Sequence, residues 1–190
     1  MAAPIHIPAD ITVVSLAGQP QRWTEDYAKK VLSAASDLLS SRAQIEFYAD
    51  QFETVSETMP SGMSSDAVDD EGYFFLSNAH RARGGVRVLL VDRLAKQEVG
   101  GESVAKYRVC LLSYRASVGE ASRMLAHELG HLLDLGHVDR PQGGPGHEKE
   151  DLASTQNLMS AGSLNPAALL TPAQVKQARS SALARRFGGG

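Results

Sequence analysis

Cysteine is almost absent: Cys110 is the only one among 190 residues. No intramolecular disulfide can form, so the chain does not need an oxidising compartment. No apolar run approaches the roughly 18–20 residues that a membrane-spanning helix requires. Basic excess is lacking too, the net charge being −3, and with it the electrostatic footprint of a nucleic-acid binder. No internal repeat is visible. The opening stretch, Met1 to Pro8, has neither a charged lead nor an apolar h-region, so it does not read as a secretory signal. That leaves the cell interior, export without a cleaved leader, and a mature fragment of a secreted protein all open. What is present is a chain with 43% hydrophobic residues, of ordinary single-domain size and long enough for a proper core. It reads as one soluble, monomeric domain over residues 1–190.

Along the chain, the β-branched run Ile11 to Leu16, bounded by Gly18 and Pro20, predicts a first strand. Thr24 is placed to cap a helix whose first turn carries Glu25 and Asp26, matching the helix dipole. Tyr27, Val31, Leu32, Ala35, Leu38 and Leu39 then recur at helical spacing to about Ser41. Residues 43–48 alternate as a second strand, and a helix between two strands predicts a crossover and a parallel pair. From about 56 to 84 loop signals dominate. Asp66, Asp69, Asp70 and Glu71 cluster acidic charge there; their spacing fits no calcium loop, and a solvated surface is the expectation. Tyr73 to Leu76 is expected to pack this region down as a short helix or strand.

Val86 to Val91 is apolar enough to be a central strand. Gly100-Gly101 marks a turn, Glu102 to Ala105 a weak edge strand, and Tyr107 to Tyr114 the last strand, with Cys110 buried in it. Ser117-Val-Gly-Glu120 fits a capping box and opens a helix over 118–133. Pro141, Gly143, Gly144, Pro145 and Gly146 leave no room for regular structure after it. Thr171-Pro-Ala-Gln174 starts a C-terminal helix that runs to about Arg186. Its Lys176, Arg179, Arg185 and Arg186 read as a solvated face.

One stretch carries chemistry: His127-Glu-Leu-Gly-His-Leu-Leu-Asp-Leu-Gly-His137. On a helix, His127 and His131 sit one turn apart on one face and can reach the same metal ion without bending the backbone. Glu128 follows the first histidine, which puts a carboxylate beside the metal, able to take a proton from water. His137 offers a third nitrogen once the chain has turned. A bare His-Glu-x-x-His recurs by chance on helices whose histidines are merely solvated, and the third histidine makes chance a poor account.

With these residues the chain resembles the metzincin zinc endopeptidases, whose pattern is His-Glu-x-x-His-x-x-Gly-x-x-His followed by a methionine-bearing turn. Asn157-Leu158-Met159-Ser160 looks like that turn. The resemblance implies an α+β fold. It would comprise a twisted mixed sheet of four to five strands, a crossover helix and an active-site helix in an upper subdomain (about 1–136). An irregular lower subdomain (about 137–190) would follow, ending in a C-terminal helix. It also implies Zn²⁺ held by His127, His131 and His137, Glu128 as general base, and a protein or peptide substrate. By the same analogy the edge strand near 100–105 pairs with the substrate, residues about 160–165 wall a specificity pocket, and Met159 lies beneath the imidazoles.

The chain departs from the pattern at Asp134, where the family has glycine. Glycine suits a helix exit through positive φ, and aspartate is among the few other residues that visit that region tolerably. Two exits are therefore open: the helix ends through Asp134 itself, or it runs to Leu135 and stops at Gly136. The second would displace His137 and make His147 the spare ligand. Two functional alternatives stand beside the peptidase. One is a peptidase of the class with an acidic third ligand, for which Glu148, Glu150 and Asp151 lie at about the right distance. The other is a catalytically inactive binding protein of the same fold, against which the intact Glu128 argues.

Overall fold

The computed structural model describes residues 3–64, 66–95, 100–138, 156–160 and 169–188. Five strands form one sheet: β1 (Ile5–Leu16), β2 (Ile45–Glu57), β3 (Val86–Val91), β4 (Gly101–Val104) and β5 (Val109–Ser113). Their spatial order is β2-β1-β3-β5-β4. All neighbours are parallel except β4, which runs antiparallel along β5 at the edge. Among the described residues five helices accompany them: α1 (Glu25–Ala43), α2 (Asp70–Ala79), α3 (Val118–Leu132), α4 (Pro172–Ser180) and α5 (Ala182–Phe187). The expected mixed α+β architecture is observed, with α1 as the crossover between parallel β1 and β2.

The sheet is covered on both faces, and the two-residue period of the strands sorts the core. Ile11, Val13, Val88, Leu90, Cys110 and Leu112 point to one side, where α1, α3, α4 and α5 bury them. Val14, Leu16, Leu89, Val91, Val109 and Leu111 point to the other, against Tyr73 and Leu76 of α2. A strand stretch buried on both faces needs apolar residues at every position, which is why residues 88–91 of β3 and 109–112 of β5 read as continuous hydrophobic runs. Cys110 is a buried strand residue, as expected.

The differences from the sequence reading have local causes. β1 begins at Ile5 rather than Ile11. Pro8 is tolerated inside it because β3 starts to pair only at Ala9, so the strand has a free edge at the proline. β2 runs on to Glu57, paired with β1 as far as Leu16. As the outermost strand it is largely exposed beyond Phe47, so no hydrophobic alternation announces it. Within the region read as loop, residues 70–79 are helical. Asp69 caps α2 by accepting from the Gly72 amide at 2.8 Å, and Asp70 and Glu71 occupy its first turn, so part of the acidic cluster is a helix start. The last strand is shorter than expected, because Ala105–Tyr107 form a 3-10 turn that leaves through Arg108 at φ 54°. The C-terminal helix breaks at Ser181, whose side chain caps α5 by accepting from Ala184.

Candidate metal centre

α3 begins at Ser117, whose hydroxyl accepts from the Glu120 amide at 3.4 Å. Ala121, Leu125, Ala126, Leu129 and Leu132 form its buried face, which leaves His127 and His131 directed elsewhere. Of the two exits open to sequence reasoning, the helix takes the first. Asp134 has φ 64°, its amide donates to His131 O at 3.1 Å, and the Leu135 amide donates to Gly130 O at 3.0 Å. That pair of bonds is a Schellman ending with aspartate in the left-handed position usually held by glycine. The turn brings the chain straight back across the helix end, and His137 with it.

The three histidines converge. Their Nε2 atoms lie 3.0 Å (His127–His137), 3.1 Å (His131–His127) and 3.1 Å (His131–His137) apart. Nδ1 of His127 is 2.9 Å from Leu158 O, and Nδ1 of His131 is 2.7 Å from Leu135 O. A carbonyl only accepts, so each Nδ1 carries the proton and each Nε2 turns a lone pair inward. Two lone pairs 3.1 Å apart with no hydrogen between them repel unless a cation shares them. The donor set fits Zn²⁺: three imidazole Nε2 atoms converge, and two of the rings have Nδ1–H anchored on backbone carbonyls. Burial, then the charge of His131, pull the His127 pKa down to about 3 against the opposing bond to Leu158. Burial lowers His131 as well. Both effects keep the rings neutral and ready to ligate.

Glu128 lies on the neighbouring helix position, 7% exposed, against the edge strand. Only glycine fits opposite it, because a Cβ on Gly101 would stand 2.8 Å from Glu128 Cγ and 3.0 Å from Leu111 O. Burial raises the Glu128 pKa to about 8, opposed by a hydrogen bond from Ser103 and assisted by the charge of Glu102. Met159 is fully buried and packs against α3 between the two helical histidines, where a Cβ on Gly130 would meet its Sδ at 2.5 Å. Its carbonyl accepts from the Val138 amide at 3.2 Å, which ties residues 157–160 to the segment bearing His137.

The structure therefore places His127, His131 and His137 together, with Glu128 on the adjacent helix position. His147, Glu148, Glu150 and Asp151, and residues 161–165 of the expected pocket wall, lie outside the described residues. Sequence reasoning missed the carbonyls of Leu135 and Leu158, the hydroxyl of Ser103, and a buried Arg123. Backbone acceptors leave no trace in side-chain pattern. Arg123 had a signal, since an arginine precedes His127 by one turn on the same helix face. A cavity of about 260 Å³ lies apart from the histidines, lined by residues that include Val68, Asp70, Tyr73 and Glu102.

No protein-family model matches the chain, and no curated protein matches it in sequence. Among solved structures, an archaemetzincin from Methanopyrus kandleri aligns at TM-score 0.61, covering 92% of this chain and 94% of that one. The two share a fold. Sequence identity is 13%, so the likeness speaks to architecture, while the chemistry of the site stands on the histidine geometry. Among the described residues no helix is long and apolar enough to cross a membrane.

Proposed function

We propose that the protein is a zinc-dependent endopeptidase of metzincin type, with His127, His131 and His137 as metal ligands and Glu128 as general base. The observation that carries the reading is the inward convergence of three Nε2 atoms within 3.1 Å, with a carboxyl on the adjacent helix position. A bound zinc ion supplies a Lewis acid that acidifies water and polarises a carbonyl. Glu128, held by Ser103 and walled by Gly101, takes the proton of the attacking water and returns it to the departing amine. A folded-state pKa raised by burial suits a group that must both accept and release a proton near neutrality.

Among the described residues β4 has a neighbour on one side only, and its outer edge is the proposed track for an extended peptide paired through backbone hydrogen bonds. Residues 157–160, including Met159, take the part of the methionine turn by the same reading. The convergence of His137 on the other two rings supports a histidine rather than an acidic third ligand.

The test is metal analysis together with activity on a peptide library. The expected result is about one zinc per chain, from a single three-ligand site, and internal cleavage that Glu128→Gln abolishes while zinc is retained. Active protein free of metal, or Glu128→Gln protein with undiminished turnover, would overturn the assignment.

A further inference from the structure

We propose that a buried polar chain running from Arg123 through Asn157 and Gln174 to Thr171 is a positioning device for His127. Through it the C-terminal helix α4 sets the aim of the ring. The inference rests on the reading of His127 as a metal ligand.

Arg123 sits on α3 one turn before His127 and is 1% exposed. Its guanidinium donates to Asn157 O at 3.1 Å, while its Nε is buried without a partner. Among the described residues no carboxylate forms an ion pair with it. Burying a guanidinium on these terms is costly, and an apolar side chain of similar volume would fill the space at less cost. What an apolar side chain cannot do is hold a carbonyl in one direction.

Asn157 is held from several sides. Its carbonyl accepts from Arg123, and its Oδ1 accepts from the Met159 amide at 2.8 Å and from Gln174 Nε2 at 3.2 Å. Its Nδ2 donates to Gln174 Oε1 at 3.1 Å. Gln174 belongs to the complete capping box of α4, accepting from the Thr171 amide at 3.0 Å and donating its own amide to Thr171 Oγ1 at 3.2 Å. Asn157, Thr171 and Gln174 are all at most 3% exposed.

Leu158 lies between the two pinned residues, and its amide donates to Leu169 O at 2.9 Å. With the peptides on either side fixed, its carbonyl has one direction left, toward Nδ1 of His127 at 2.9 Å. That bond sets both the tautomer and the tilt of the ring. The network thus joins the start of α4 to the first helical ligand through hydrogen-bonded groups whose polar capacity is largely used.

The test compares zinc affinity, by chelator competition, and the visible absorption of the Co²⁺-loaded protein. The proteins are the full chain, Arg123→Met, Arg123→Lys, Gln174→Met and a control, Leu76→Ala, buried on the opposite face of the sheet. All are measured at a temperature where circular dichroism shows each folded. Arg123→Met and Gln174→Met should each weaken zinc binding about 10–100-fold and shift the Co²⁺ spectrum. Arg123→Lys, which keeps the charge and a donor, should recover part of the loss. Leu76→Ala should lower thermal stability and leave affinity unchanged. Gln174→Met leaves the charge of Arg123 in place, so it separates aim from electrostatics even where Arg123→Met fails to fold. Zinc affinity within twofold of the parent in the variants that fold, or tighter binding by Arg123→Met, overturns the proposal. Failure of the parent chain itself to bind zinc overturns the ligand reading beneath it, and that result is distinct from the variants behaving like a zinc-binding parent.

Discussion

Nδ1 of His127 lies 2.9 Å from the carbonyl oxygen of Leu158, 31 residues further along the chain. The ring is borne by a helix whose own carbonyls are engaged along its axis, so the acceptor that fixes its tautomer has to come from elsewhere. It comes from the segment that also carries Met159, and His131 is served by Leu135 just past the helix end. Each of these two rings is thus anchored by a backbone carbonyl in a turn or just past one, which makes the turns part of the site.

The exit through Asp134 is the first such turn to test. Aspartate at φ 64° bears a left-handed backbone cost of about 1 kcal/mol that glycine avoids. Asp134→Gly is expected to raise stability by about 0.5–1 kcal/mol, the Schellman bonds being made by backbone alone. Asp134→Val should lower it by about 1–3 kcal/mol and weaken zinc binding, because His137 follows this turn. Denaturant midpoints and metal titrations check both; equal stability for the two variants would remove the strain argument.

Gly101→Ala probes the wall behind Glu128. The added methyl meets Glu128 Cγ at 2.8 Å and the carbonyl of Leu111 at 3.0 Å. The carbonyl belongs to the sheet ladder and cannot retreat, so the carboxylate must move. A displacement approaching 1 Å costs a catalytic group up to about 100-fold. Turnover should therefore fall sharply with zinc content unchanged; loss of zinc instead of turnover would place the damage at the ligands.

Glu128→Gln should also change stability with pH. A carboxyl raised by burial from 4.5 to about 8 keeps its proton in the folded state while the unfolded chain releases it. Folding therefore loses stability as pH rises above 4.5, by at most roughly 1.4 kcal/mol per unit until pH 8. In metal-free protein the glutamine variant should match the parent near pH 4 and exceed it at pH 8. Urea unfolding at the two pH values measures this, and a gap independent of pH would show that the carboxyl's ionisation is not its source.

The third ligand is tested by comparison. His137→Ala should weaken zinc retention far more than His147→Ala or Glu148→Ala, by a factor of at least about 10, the size of effect that even a supporting residue has on metal affinity. Dialysis against a graded chelator series ranks the variants. A larger loss for His147→Ala or Glu148→Ala would transfer the ligand role.

By itself the sequence determined what depends on near neighbours. The four-residue spacing of His127 and His131, the caps at Thr24, Ser117 and Thr171, and the two-sided hydrophobicity of β3 and β5 follow from helical and strand periods, which are local. Even the convergence of a third histidine was legible, because the helix exit involves only the few residues around Asp134. The tertiary structure alone decided what depends on distance between remote segments. Examples are the length of the exposed strand β2, which its pairing with β1 enforces, and the place of Pro8 at a free edge. Others are the Gly101 wall behind Glu128 and the Leu158 carbonyl held by Arg123, Asn157 and Gln174. Hydrogen bonds to backbone atoms and contacts across tens of residues depend on how elements pack, and no periodicity along the chain encodes them.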